Sequence, residues 1–282
     1  MPLRWQKIKL NETTTPLKHQ AKKHFGQNFL IDQAIITSLI NAIDPKSDDL
    51  MVEIGPGLGA MTEPLMQKLK TLHVVEIDRD ICAWMVKDYA KQTADKSLII
   101  HNVDALKYDF ASLGNNLRIV GNLPYNISTP ILFWLLKSVK SAENCIVDMH
   151  FMLQKEVVER MVAKPSTAAY GRLSVMLQYQ LQMEYLITVP PESFDPAPKV
   201  ESAFVRCVPH KSLPHPAVDE TLFAKVVLQA FGQRRKTIRN TLKGLVDDAD
   251  FAELNIDPQA RAENLSLAQF VGISNYLTAQ TK

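Results

Sequence analysis

The stretch that decides the fold reads Leu50-Met51-Val52-Glu53-Ile54-Gly55-Pro56-Gly57-Leu58-Gly59-Ala60. Its apolar first part, residues 50–54, predicts a short buried strand, and a helix is predicted from about Met61. Glycines between a strand and a helix let the backbone turn tightly and approach a ligand without a Cβ in the way. The stretch therefore predicts a ligand-binding loop, and the simpler alternative is a tight turn that binds nothing.

Strands and helices alternate on both sides of this loop. Helices are predicted for residues 32–43, from 79 onward and for 129–139, and strands for 50–54, 72–75, 98–101, 117–120 and 145–153. This rhythm is typical of an α/β fold whose parallel sheet carries helices on both faces. Two later runs, 186–189 and 200–208, are joined by the Pro-rich loop 190–198 and predict an antiparallel pair at the sheet edge. Beyond the prolines at 209, 214 and 216, the Gly-poor sequence predicts a small helical domain.

Three acidic residues are predicted to meet at one rim of the sheet. Glu53 begins the glycine motif, Glu76 lies 21 positions after Gly55 at the end of the next strand, and Asp104 ends the third strand. Successive strand ends face one crevice in this topology, and a carboxylate placed like that of Glu76 can accept hydrogen bonds from both ribose hydroxyls. Together the acids suit a ligand with ribose hydroxyls, an adenine amine and a cationic sulfonium better than a pyrophosphate. The glycines alone also fit a dinucleotide fingerprint, and Asp104 alone is often a helix cap, so a nicotinamide-dependent oxidoreductase is an alternative.

The loop Gly121-Asn122-Leu123-Pro124-Tyr125 follows the fourth predicted strand and therefore lies at the same crevice. An exocyclic amine of a base is a poor nucleophile because its lone pair is delocalised into the ring. The Asn122 side-chain oxygen and the Leu123 carbonyl can accept the two amine hydrogens, which aims the lone pair at a methyl donor. Pro124 fixes the backbone, and Tyr125 offers a ring on which the base stacks. The loop predicts methylation of a base amine; the alternative is a proline turn with a core tyrosine.

Two further segments are candidates for closing the crevice. Phe194 begins the segment 194–200 of the Pro-rich loop and could cover the other face of the base, or it could be a core phenylalanine. Gln27-Asn28-Phe29-Leu30 precedes the first predicted helix and could form a polar lid over the cofactor, or it could be an ordinary turn.

A formal net charge of only +2 hides two basic segments. One precedes residue 31, and the other lies in the window 221–246, which contains no acidic residue. We expect the second cluster to project from a helical turn and to bind RNA phosphates, whereas the alternative is a solvated face. The cations predicted to bind RNA are Lys22, Lys23, Arg234, Arg235, Lys236 and Arg239.

The remaining composition narrows the class of protein. A chain with 46% hydrophobic and 22% charged residues is typical of a globular protein. Cys82, Cys145 and Cys207 form no CxxC pair, which indicates neither a disulfide framework nor a zinc site. The sequence offers no secretory signal and no apolar run of membrane-spanning length. We expect a cytoplasmic protein without metal or membrane contact, with a loose arm at residues 1–23, a main domain at 24–210 and a helical domain at 211–282.

These motifs together resemble those of the ribosomal RNA adenine N6-dimethyltransferases. The resemblance runs from about His24 to about Leu245 and covers residues 27–30, 53–59, 76–78, 104, 121–129, 194–200 and 231–240. It implies a Rossmann-like class I methyltransferase sheet, mostly parallel with an antiparallel last strand, and the cofactor S-adenosylmethionine. The cofactor contacts so implied are Asn28, Leu30, Gly55, Gly57, Glu76, Ile77, Asp104, Ala105 and Asn122. The residues expected at the reacting amine are Asn122, Leu123, Pro124, Tyr125 and Phe194.

The family has two branches, and Pro56, Leu58 and residues 234–237 look like the housekeeping branch. That similarity implies dimethylation of two adjacent adenosines in a hairpin near the 3′ end of small-subunit rRNA. It also implies action on a pre-ribosomal particle, with a role in assembly; we expect a monomer. The alternatives are a large-subunit rRNA methyltransferase of the resistance type, a DNA adenine methyltransferase and a non-catalytic assembly factor.

Overall fold

A computed structural model describes residues 28–124, 127–141 and 145–280 of the chain. The strands within these ranges are β1 (Phe29–Leu30), β2 (Met51–Ile54), β3 (Leu72–Glu76), β4 (Leu98–Asn102), β5 (Leu117–Asn122), β6 (Ile146–Gln154), β7 (Leu181–Val189), β8 (Phe194–Asp195) and β9 (Ser202–Pro209). The helices are α1 (Gln33–Ile43), α2 (Thr62–Met66), α3 (Arg79–Asp88), α4 (Ala90–Ala94), α5 (Ser128–Ser141), α6 (Lys155–Val162), α7 (Arg172–Gln178), α8 (Glu220–Ala230), α9 (Ile238–Thr241), α10 (Asp248–Glu253) and α11 (Leu267–Gln280). None of these helices is both long and apolar enough to cross a membrane.

Seven strands form one sheet in the order β4-β3-β2-β5-β6-β9-β7. The pairs from β4 through β6 are all parallel, and β9 runs antiparallel to both of its neighbours, β6 and β7. The predicted parallel sheet with an antiparallel last strand is therefore confirmed. Because β2 lies inside the sheet between β3 and β5, the loop after β2 opens onto the centre of its carboxyl edge.

The two faces of the sheet carry separate hydrophobic cores because side chains alternate along each strand. On β2, Val52 and Ile54 pack into the core beneath α5, α6 and α7, whereas Met51 packs into the core with α1, α2 and α3. Helix α1 begins where the Asp32 carboxylate accepts hydrogen bonds from the backbone N–H groups of Ala34 and Ile35, at 2.9 and 3.1 Å.

A third core unites the helices that follow residue 210 with part of the preceding chain. Helix α7 stands between two cores: Leu173 and Leu177 pack beneath the sheet, and Val175 packs with α8 and α11. Tyr179, just after α7, packs against Phe223 with the two rings tilted and their centroids 4.6 Å apart. The predicted division at residues 210/211 stays a prediction, since residues on both sides of it share this core.

The structure differs from the expected elements in three places. Strand β7 begins at Leu181, five residues before the expected start at 186, because its pairing with β9 continues as far as Pro209. Helices α6 and α7 occupy a region for which no element was expected. The two-residue strands β1 and β8 pair with each other, and such short strands leave no periodicity to detect.

Candidate functional site

A cavity of about 1180 Å³ opens at the carboxyl ends of β2, β3, β4 and β5. Helices α1 and α2 form a wall that the sequence did not indicate, with Ile36, Thr37 and Glu63 among its side chains. The predicted site residues that line the cavity are Asn28, Leu30, Gly55, Gly57, Glu76, Ile77, Asp104, Ala105, Asn122, Leu123 and Pro124. The fold therefore brings together every predicted cofactor contact at one cavity.

The glycine loop after β2 depends on backbone angles that favour glycine. Gly55, Gly57 and Gly59 have φ values of 67°, 55° and 82°. A Cβ at Gly57 would lie 3.1 Å from the ring of Phe29, and a Cβ at Gly59 would collide with the hydroxyl of Tyr89. The loop is thus held between β1 above it and the side chain of Tyr89 behind it, so that its backbone faces the cavity.

Glu76 is buried at the end of β3, where its carboxylate is already oriented. The backbone N–H of Asp78 donates to Glu76 Oε1 at 2.8 Å, and the amide of Asn102 donates to the Glu76 carbonyl at 3.0 Å. Burial raises the pKa of Glu76, while the backbone hydrogen bond from Asp78 acts in the opposite direction. The adjacent Ile77 is 48% exposed and places an apolar surface on the cavity wall.

Glu53 is a functional candidate whose surroundings the sequence did not reveal. Its side chain is 1% exposed, and its Oε2 accepts a hydrogen bond from Thr62 Oγ1 at 2.6 Å. Burial raises the pKa of Glu53 to about 7, and the nearby charge of Glu76 acts in the same direction. The sequence did not reveal Thr62 as the hydrogen-bond partner of Glu53. It indicated only that Thr62 lies at the start of the helix predicted from about Met61.

Asp104 combines a structural contact with a position at the cavity. Its Oδ1 accepts a hydrogen bond from the backbone N–H of Leu106 at 2.9 Å, which closes a turn rather than beginning a helix. The residue also lines the cavity, as does its buried neighbour Ala105. A local capping role and a ligand contact are therefore compatible in Asp104.

The Asn122 loop leaves β5 at the cavity. The Leu123 N–H donates to the Met152 carbonyl at 3.2 Å, and the Ile127 N–H donates to the Pro124 carbonyl at 3.1 Å, which fixes both ends of the turn. The Asn122 side-chain amide donates to the backbone carbonyl of Asn28 at 3.1 Å. Tyr125, the last residue of the predicted motif, lies outside the described residues, so its stacking role stays a prediction.

Phe194 lies in the hydrophobic core rather than at the cavity in this structure. It is 3% exposed and packs with the cluster that contains Leu30 and Ile36. Strand β8 pairs antiparallel with β1, so that Leu30 lies opposite Phe194. This conformation corresponds to the alternative of a core phenylalanine, and the contact of Phe194 with a target base stays a prediction. In the described part of the lid segment, Phe29 and Leu30 form strand β1 rather than an ordinary turn.

The basic loop, residues 232–236, is built from turns between α8 and α9, so the expectation that its cations project from a helical turn was wrong. Two arginines of the acid-free window, residues 221–246, also lie close to carboxylates from outside the window. Arg239 forms an ion pair with Asp248 at 2.5 Å, and Arg234 Nε lies 3.6 Å from a Glu263 carboxylate oxygen. For Arg235 and Lys236, which are exposed, the described part of the chain supplies no carboxylate partner.

Lys22, Lys23 and Gln27 fall outside the described residues, so their predicted roles are carried by the sequence alone. Arg234 is also held by a backbone contact with the segment after α6, because its Nη2 donates to the Ala168 carbonyl at 2.5 Å. This contact places the basic loop beside residues 164–168, which follow α6 and are exposed. Arg234 therefore contacts two segments that are distant in sequence, at Ala168 and at Glu263.

The residues present fit S-adenosylmethionine, because the cavity combines buried carboxylates with a glycine backbone and an apolar wall. This sheet order and this site, together with the family match that follows, define a class I, S-adenosylmethionine-dependent methyltransferase. The family model described as ribosomal RNA adenine dimethylase matches residues 18–279, and the chain belongs to this family. The predicted family, enzyme class and cofactor are thereby confirmed, and ribosomal RNA is the substrate class.

Curated relatives match nearly the whole chain. Ribosomal RNA small subunit methyltransferase A of Methylobacillus flagellatus is 68% identical over 263 residues, which cover 93% of this chain and 100% of the relative. The protein of the same description from Dechloromonas aromatica is 56% identical over 260 residues, covering 92% of this chain and 99% of the relative.

Two solved structures share the fold over most of the chain. A dimethyladenosine transferase from Plasmodium falciparum aligns with a TM-score of 0.71 and 24% identity, covering 87% of this chain and 95% of that chain. The 23S rRNA methyltransferase ErmE aligns with a TM-score of 0.68 and 22% identity, covering 89% and 100%. At these identities the likeness is one of fold, and it does not choose between the two branches of the family.

Proposed function

We propose that this protein transfers methyl groups from S-adenosylmethionine to the N6 atoms of two adjacent adenosines in a hairpin near the 3′ end of small-subunit rRNA. One observation carries the chemistry: the Asn122 loop and the glycine loop face the same cavity, at the ends of adjacent parallel strands. The choice of the small subunit is supported by relatives that are 56–68% identical and carry that description. A role in small-subunit assembly accompanies this activity.

The cofactor is held by residues that the fold has already oriented. Glu76 would accept hydrogen bonds from the ribose hydroxyls of the bound cofactor, because its carboxylate is buried at the cavity and held by the Asp78 N–H. The backbone of Gly55 and Gly57 and the lid residues Asn28 and Leu30 would hold the amino-acid end. Ile77, Asp104 and Ala105 would hold the adenine end, and the exposed side chain of Ile77 would supply apolar contact there. When bound, the cofactor supplies an electrophilic methyl group on a sulfonium.

The protein activates the target amine by removing its conjugation with the ring. Asn122 Oδ1 and the Leu123 carbonyl accept the two N6 hydrogens, which draws the nitrogen toward tetrahedral geometry. Pro124 limits the backbone freedom of this turn, and Tyr125 stacks on the flipped base. The alkylated amine is acidic and loses its proton to water, so the protein contributes positioning and electrostatics rather than a strong base.

The basic loop binds the RNA backbone outside the cavity. Arg235 and Lys236 of the basic loop contact phosphates, assisted by Arg234, Arg239 and the N-terminal Lys22 and Lys23. The exposure of the basic loop and its contact with residue 168 support this role. We further propose that the protein acts as a monomer on a pre-ribosomal small subunit in the cytoplasm.

The test is transfer of tritium from labelled S-adenosylmethionine to small subunits isolated from cells that lack this methylation. We expect label in dimethyladenosine at two adjacent positions, and none in fully methylated small subunits or in large subunits. Label confined to large-subunit RNA would favour the resistance-type alternative and would contradict the proposal. Calorimetric titration with S-adenosylmethionine and with a nicotinamide dinucleotide provides an independent check of the cofactor.

A further inference from the structure

The side chain of Asn122 is held from one side by a backbone group that is 94 residues away in sequence. Asn122 Nδ2 donates to the Asn28 carbonyl oxygen at 3.1 Å. A carbonyl oxygen only accepts hydrogen bonds, so the atom that faces it must be the NH₂ group of the amide. The orientation of the Asn122 amide is thereby fixed, and its Oδ1 is directed away from Asn28.

The Asn28 carbonyl is itself anchored to the body of the protein. Residues 29 and 30 pair with β8, and the Ile31 N–H donates to the Ser193 carbonyl at 2.8 Å. The Ser193 hydroxyl donates to Asp32 Oδ2 at 3.3 Å, and Asp32 caps α1. Strand β1 is thus held at its C-terminal end by both α1 and the Pro-rich loop, and this gives the Asn28 carbonyl a defined position.

We propose that the Asn28 backbone carbonyl is a positioning group, which holds the Asn122 amide so that Oδ1 faces the target amine. This inference rests on the proposed function and deepens it. It gives the amide at position 122 a physical reason, because a carboxylate would accept the amine hydrogens as well but could not donate to Asn28 when ionised. The segment 28–30 then contributes to the substrate site as well as packing against the glycine loop.

The inference predicts an unusual pH dependence for Asn122→Asp. An ionised aspartate at this position would place a carboxylate oxygen about 3.1 Å from the Asn28 carbonyl oxygen, where two acceptors repel each other. A protonated carboxyl group can replace the amide, because its O–H donates to Asn28 while its C=O accepts from the amine. The variant should therefore be impaired when ionised and partly restored when protonated.

The experiment measures the single-turnover rate of methyl transfer to unmethylated small subunits between pH 5.5 and 8.5, at saturating cofactor. At each pH, the rate of Asn122→Asp is divided by the rate of wild type. Above the pKa of the new carboxyl group, we expect this ratio to fall about tenfold for each pH unit, in proportion to the protonated fraction. The ratio for Asn122→Ala, the matched control, should be low and independent of pH. A ratio for Asn122→Asp that stays constant with pH, whether near one or near zero, overturns the proposal.

A second measurement uses the wild-type protein and does not depend on the stability of a variant. In protein labelled at asparagine nitrogen, the Asn122 side-chain signals are identified by their loss in Asn122→Ala. We expect one of its two Nδ2 protons to exchange slowly with solvent, and two rapidly exchanging protons would overturn the inference. Failure of wild type to methylate small subunits would instead refute the proposed function, since the hydrogen bond is measured without RNA.

Discussion

Removing Arg235 and Lys236 of the basic loop should weaken RNA binding and reduce the salt dependence of that binding. The double variant Arg235→Ala/Lys236→Ala removes exposed charges that have no carboxylate partner in the described ranges, whereas Arg234 and Arg239 are partly neutralised by Glu263 and Asp248. Each lost phosphate contact reduces the log–log salt slope of binding by roughly 0.7–0.9, so the variant should lose about 1.4–1.8. Between about 50 and 200 mM salt, the affinity difference from wild type should shrink roughly tenfold.

The assay is equilibrium binding to unmethylated small subunits across a salt series. Lys87→Ala/Lys91→Ala is the matched control, because it removes two exposed lysines from α3 and α4 at the opposite edge of the sheet. The control should keep the wild-type slope, and both double variants should bind S-adenosylmethionine normally. Equal slopes for wild type and Arg235→Ala/Lys236→Ala would mean that the loop is only a solvated surface.

Three further predictions concern the cavity. Glu76→Gln should weaken cofactor binding by about 1.5–3 kcal/mol for each charge-assisted hydrogen bond lost, and unchanged affinity in calorimetry would remove Glu76 from the site. Tyr125→Ala should slow single-turnover transfer much more than it weakens cofactor binding, whereas Tyr125→Phe should be tolerated; a normal rate for Tyr125→Ala would exclude stacking. The raised pKa of Glu53, about 7 against an ordinary 4.5, means that the folded state keeps a proton that the unfolded state loses. The stability that Glu53 contributes is therefore present below pH 4.5 and is lost as the pH rises toward 7, by about 3 kcal/mol at most. Glu53→Gln should remove this pH dependence, which is measured by comparing urea unfolding at pH 4.5 with urea unfolding at pH 7.

Sequence motifs predicted the part of the site that depends on strand ends. Gly55, Glu76, Asp104 and Asn122 each lie at or just beyond the carboxyl end of a parallel strand, and parallel strands bring these ends to a common edge of the sheet. The βαβ pattern alone therefore placed these residues together. The sequence did not predict that α1 lines the cavity. Its residues follow an ordinary amphipathic pattern, which does not distinguish a cavity wall from a hydrophobic core.

Contacts between distant segments could not be predicted in this way. Phe194 occupies the core because β8 pairs with β1, and neither two-residue strand has a recognisable pattern. Arg239 lies in an acid-free stretch of sequence, yet Asp248 reaches it from the next helix. In each case the partner is set by tertiary packing, which a local window of sequence does not contain.

The most direct test of the central claim is mass analysis of the 3′ fragment of small-subunit rRNA after reaction with the protein. Unmethylated small subunits are incubated with S-adenosylmethionine and either wild type or Asn122→Ala, and the modified nucleosides are then located in the fragment. The account predicts N6,N6-dimethyladenosine at two adjacent positions with wild type and an unmodified hairpin with Asn122→Ala. An unmodified hairpin with wild type, or full dimethylation by Asn122→Ala, would contradict it.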